Sequence, residues 1–119
     1  MNIEEFRSYC LVKKGVTESF PFDEKTLVFK VMGKMFALSG LEYQPARANL
    51  KCDPERSIVL REEYDGLITA GYHMSKKHWN TVELEKSIPK SLICELIDHS
   101  YDLVVQGLTR KLKEELASL

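Results

Sequence analysis

No apolar run in this 119-residue chain approaches the length of a bilayer-spanning helix. Its first ten residues already contain Glu4, Glu5 and Arg7, a composition that argues against a secretory leader and for a cytoplasmic protein with no membrane partner. There is no glycine-rich phosphate loop, no Gly-x-Ser-x-Gly elbow and no paired-carboxylate motif, so an enzyme is not expected. Asp98, His99 and Ser100 are adjacent, but neighbouring helical residues diverge by about 100° and cannot act together as a triad. Cysteine is scarce and scattered: Cys10, Cys52 and Cys94 form no Cys-x-x-Cys pair, which fits reduced thiols better than a disulfide framework. Cys10 and Cys94 lie among apolar residues and read as small hydrophobes, whereas Cys52, just ahead of a helix start, is where a thiolate would be favoured. His73 and His78 are a close pair without a third ligand nearby, so neither a metal nor another cofactor is expected. Net charge is also nearly absent, at −1, and any electrostatic function must come from how charge is distributed.

That distribution is uneven. Residues 25–51 hold Lys25, Lys30, Lys34, Arg47 and Lys51 against Glu42 alone, and residues 66–82 hold Lys76 and Lys77 with no acid. Glu4, Glu5, Glu55, Glu62, Glu63, Glu95, Asp98 and Asp102 fall in segments with helical periodicity.

The length fits one domain spanning residues 1–119. Ile3, Phe6, Cys10 and Leu11 recur at helical spacing, predicting an amphipathic helix from about Asn2 to Lys14 with Gly15 as its left-handed cap. Thr17 to Phe22 reads as an edge strand, because Pro21 cannot donate to a ladder. Leu27 to Met32 and Met35 to Leu38 form a hairpin about Gly33 and Lys34. Ala46 to Cys52 alternates cleanly, placing Ala46, Ala48, Leu50 and Cys52 on one face and Arg47, Asn49 and Lys51 on the other. Asp53 as N-cap and Pro54 as first helical residue open a helix carrying Ile58, Val59, Leu60 and Tyr64 that stops at Gly66. Asn80 to Leu84 is a further strand, preceded by either a hairpin or an irregular loop through Ser75 to Lys77. From Pro89 the stripe Ile93, Ile97, Tyr101, Val104 and Leu108 predicts the longest helix, with Gly107 placed to break it before a charged terminal segment. The order implies an α+β fold in two layers, an antiparallel sheet covered on one face by helices. The open face would be basic and the helix side acidic.

Five runs carry a resemblance that spans nearly the whole chain: Gly15 to Phe22, Thr26 to Leu38, Asn49 to Glu55, Gly71 to Thr81 and His99 to Val104. Together they resemble the MmcQ/YjbR-like proteins of bacteria. The resemblance implies a fold similar to frataxin and to type III secretion chaperones, and a double-wing mode of binding double-stranded DNA through β-hairpins. The expected interface comprises Lys30, Arg47, Asn49, Lys51, Tyr72, His73, Lys76, Lys77, His78, Trp79 and Asn80. Lysines would meet phosphates, Asn49 a backbone or base edge, and Trp79 or Tyr72 a sugar or unstacked base. A regular strand from Asn80 turns Trp79 toward solvent, while a bulge before it would send the indole into the core. The competing expectation is a protein-binding adaptor or small chaperone that docks a peptide or a second copy of the chain. Segregated charge also arises without any ligand, since glutamate favours helices and an open sheet face must be polar.

Overall fold

A computed structural model describes residues 1–71 and 74–119. Among these, six strands form one antiparallel sheet in the order β1-β2-β3-β4-β6-β5, with four helices. The elements in chain order are α1 (Ile3–Leu11), β1 (Val16–Ser19), β2 (Thr26–Val31), β3 (Lys34–Gly40), β4 (Arg47–Lys51), α2 (Pro54–Glu63), β5 (Ile68–Ala70), β6 (Trp79–Glu83), α3 (Lys90–Gln106) and α4 (Arg110–Ala117). This is the two-layer α+β fold that the periodicities imply.

Local chemistry sets the boundaries. Asn2 and Glu5 form a reciprocal capping box at α1, and the Asp53 side chain accepts the Arg56 N–H ahead of Pro54 at α2. α1 ends at Leu11, short of the expected Lys14, because Lys13 turns back to pair with Asp98 of α3. The hairpin turn lies one residue earlier than expected: Met32 and Gly33 both take positive φ, at 50° and 82°, the twist that a two-residue hairpin requires. Gly107 ends α3, and Thr109 caps a separate α4.

One core lies between sheet and helices. Phe6 and Cys10 of α1 and Ile93, Leu96, Ile97 and Val104 of α3 meet Leu27, Phe29, Val31, Phe36, Ala48, Leu50 and Val82 of the sheet. Phe6 meets Phe29 edge-on at 5.8 Å, and Phe36 meets Tyr101 at 5.5 Å. One expectation fails here. Ile58 and Val59 are 57% and 58% exposed, because α2 covers the edge of the sheet beside β5 and buries only the Ser57 and Leu60 side of its circumference. Cys10 is the core hydrophobe expected, its thiol pushed up to about 12 by burial. Cys52 is also buried, and burial raises its thiol pKa, so the thiolate contemplated at that helix start is disfavoured.

Candidate functional site

The strand alternation leaves one face of the sheet without helices. In β4, Ala48 and Leu50 enter the core, so Arg47, Asn49 and Lys51 stand on the open face, as their spacing requires. Lys30 shares that face with Val28, since Leu27, Phe29 and Val31 point the other way. Antiparallel pairing sets Lys51 opposite Trp79, Asn49 opposite Thr81 and Arg47 opposite Glu83. The two ends of the face differ in chemistry.

At the Lys51 end lies the turn before β6. The Ser75 carbonyl accepts the N–H groups of His78 and Trp79, at 3.1 and 2.9 Å, leaving Lys76, Lys77 and His78 exposed around a compact turn. The His78 carbonyl accepts the Cys52 N–H at 2.8 Å, and Arg61 of α2 donates to the carbonyls of Lys76 and Trp79. The Lys-Lys-His turn is therefore anchored to the end of β4 and to α2. Arg61 was not singled out from sequence, because nothing in its local pattern tells a surface cation from a tether that acts across the fold.

Two expected contacts need correction. Trp79 does face away from the main core, yet it is only 8% exposed: with Val28 and Leu38, flanked by Met35 and Met74, it forms a second small apolar cluster on the open face. The indole is neither solvent-exposed nor swung into the main core, and it is not free to stack on a base. Asn80 points to the helix side and is 2% exposed; its Oδ1 accepts Arg61 Nε at 2.8 Å and its amide reaches Ser57 Oγ at 3.4 Å. It braces the sheet from behind. Tyr72 and His73 lie outside the described residues.

At the Arg47 end is a cleft of about 780 Å³, bounded by Phe22 and Asp23 from the β1–β2 loop, Tyr43 from the β3–β4 loop and Met74 from the β5–β6 loop. The Arg47 guanidinium lies over the Tyr43 ring, 3.6 Å from its centroid, in a cation–π contact. Thr81 Oγ1 donates to Asn49 Oδ1 at 2.5 Å. Despite their register, Arg47 and Glu83 form no ion pair among the described residues, and Glu83 Oε2 is buried without a hydrogen-bond partner there. Phe22 and Tyr43 were not anticipated as site residues. The signal was available in Ser-Phe-Pro-Phe: aromatics next to a proline that ends an edge strand have little core to enter.

Comparison with known proteins agrees with this architecture. A family model described as YjbR matches residues 11–103. YjbR of Escherichia coli strain K12 is 35% identical over the full length of both chains, and YbdF of Escherichia coli O157:H7 is 40% identical over 77% of this chain and 75% of its own; both are described as uncharacterized proteins. A crystal structure of a Deinococcus radiodurans protein with a DUF419 domain superimposes with a TM-score of 0.92 at 41% identity, covering 98% of this chain and 88% of that one. A Pseudomonas syringae protein structure gives 0.73 at 28% identity, over 87% and 98%.

Proposed function

This chain belongs to the YjbR family, and from that membership and the chemistry of the open face we propose that it is a non-enzymatic DNA-binding protein of the cytoplasm. One observation carries the reading. Among the described residues, Lys30, Arg47, Lys51, Lys76 and Lys77 enter no ion pair, whereas on the helix side Arg7, Lys13, Arg56 and Lys90 are matched to Glu18, Asp98, Glu95 and Glu5. The acids of the helix side thus neutralise its cations, while on the sheet side these five cations outnumber Glu83, which stands opposite Arg47, and leave net positive charge where phosphates would displace counterions. The pinned turn and the half-buried strand cations are the parts a double-wing contact would use. Aromatic contact passes from Trp79 to Phe22 and Tyr43, which are exposed.

Anisotropy of a labelled duplex, measured at several salt concentrations, tests this. If all five cations meet phosphates, the log–log salt slope is about −4 to −5. Lys76→Glu with Lys77→Glu inverts charge at two exposed positions and should abolish binding without touching the fold. No saturable binding by the wild type at low salt, or equal affinity of the double variant, overturns the assignment.

The adaptor reading draws on a different surface, the exposed Ile58 and Val59 of α2. A sedimenting species heavier than the monomer that reverts on Ile58→Lys would favour it.

A further inference from the structure

We infer that the cleft at the Arg47 end is a nucleobase pocket. The inference rests on the DNA-binding reading and deepens it, by naming what the second half of the face recognises.

A volume of about 780 Å³ lies within the range of small-ligand clefts. Its two aromatic boundaries, Phe22 and Tyr43, come from separate loops that are tied together: the Leu41 N–H donates to the Lys25 carbonyl at 2.7 Å, and Lys25 Nζ pairs with Glu42 at 2.9 Å. Gly40 lets the Tyr43 ring close over the strand end, since a Cβ there would lie 2.6 Å from the ring. The backbones that carry the two walls are therefore joined.

Asp23 gives Oδ1 to the N–H groups of Lys25 and Thr26, while its Oδ2 has only the Thr26 hydroxyl at 3.4 Å and remains an acceptor at the rim. Asn49 gives its carbonyl oxygen to Thr81, which leaves its amide NH₂, and the Arg47 guanidinium has no hydrogen bond among the described residues. The polar groups left for a ligand are thus the donors of Arg47 and Asn49, the acceptor Asp23 Oδ2 and the Thr69 hydroxyl, set among flat aromatic surfaces. Their complement is a planar ring whose edge carries both acceptors and donors, a nucleobase, with guanine offering N7 and O6 to the donors and its N–H groups to the carboxylate. Aromatic side chains supply stacking that tolerates any base.

Four residues at about 3.3 Å per residue set Arg47 roughly 13 Å from Lys51 along β4. Of the apolar cluster, Trp79 lies level with Lys51 and Leu38 level with Asn49. A free mononucleotide is too short to contact both ends, while a strand can place phosphates at the lysines and one unpaired base in the cleft. A base still stacked in a duplex cannot enter.

The test uses three probes: guanosine monophosphate, a labelled single-stranded oligonucleotide, and the blunt duplex of the same sequence. Isotope-labelled protein reports the backbone amides of Thr69 and Thr81 and the Arg47 side chain. Thr69→Trp fills the cleft from an exposed position on the edge strand without changing charge; Arg47→Met removes the donor and serves if the first variant fails to fold. The expected result is binding of the single strand about tenfold tighter than the duplex, with this preference lost in either variant. Guanosine monophosphate should shift the cleft signals of the wild type and of the Lys76→Glu, Lys77→Glu protein, and not those of Thr69→Trp. Equal affinity for strand and duplex with no shift from the mononucleotide overturns the pocket and leaves the phosphate reading standing. Mononucleotide shifts without any oligonucleotide binding overturn the phosphate reading, and with it the strand as the source of the base. The cleft is then a free-nucleotide site.

Discussion

The Ser100 hydroxyl accepts the backbone N–H of Lys51 at 2.9 Å and, in the same position, donates to the Phe36 carbonyl. One side chain of α3 therefore closes the gap where β3 and β4 part, below the residue that begins the cationic end of the open face. Ser100→Ala leaves both backbone groups buried and unpaired, at a cost of about 1–3 kcal/mol. Denaturant unfolding should show a lowered midpoint with an unchanged slope.

His99 next to it supplies a pH dependence. Its Nε2 accepts the Asp53 N–H at 3.1 Å, a role open only to the neutral ring, and burial first, then Arg56, lowers its pKa from the ordinary 6.5. The unfolded chain then binds the proton more tightly than the fold does, so stability rises with pH. The contribution is complete above about 6.5 and is lost as pH falls through the lowered folded value. Thermal midpoints of the wild type should fall over that interval more steeply than those of His99→Gln, which keeps an acceptor that does not titrate.

Arg61 links the exposed turn to α2 through Asn80, Lys76 and Trp79. Arg61→Ala removes hydrogen bonds to a charged donor and leaves Asn80 Oδ1 buried without it, so a loss of about 2 kcal/mol is expected. Hydrogen exchange at the His78 and Trp79 amides should accelerate more than the global loss explains, because those amides close the turn that Arg61 holds.

Gly40 and Gly71 make a contrasting pair. A Cβ on Gly71 would lie 2.9 Å from Trp79 Cβ and 3.1 Å from its carbonyl oxygen, atoms that cannot move without shifting β6. A Cβ on Gly40 would meet only the Tyr43 ring, which can swing outward. Gly71→Ala should cost about 1–3 kcal/mol. Gly40→Ala should cost less, while separating Tyr43 from Arg47 and opening the cleft. Calorimetry of the two variants side by side checks the order.

The sheet and its covering helices were legible because they rest on patterns that local chemistry enforces. Alternation in Arg47 to Lys51 and the stripe of Ile93, Ile97 and Val104 leave little choice of face. The Asp53–Pro54 start of α2 was equally direct, but its apolar residues misled: Ile58 and Val59 have a core composition, and only the edge position of the helix exposes them. In the site, the faces of Arg47, Asn49 and Lys51 followed from period two. Trp79 followed in direction but not in burial, since Val28, Leu38 and Met35 reach it from β2 and β3, with Met74 of the preceding loop beside them. Asn80 was grouped with its polar neighbours although the same alternation assigns it to the opposite face. Phe22 and Tyr43 meet at a cleft only because Lys25 joins their two loops, and no spacing within one segment encodes that.

The small cluster around Trp79 has a spectroscopic consequence. The chain has a single tryptophan, shielded from water while lying on the face that has no helices. Its emission should be blue-shifted and poorly quenched by soluble iodide in the native protein. Loosening of Met35 or Met74 would redden it before the main core, which contains no indole, had changed at all. The molecule thus holds an optical gauge of its open side alone, separate from the stability of the layer behind it.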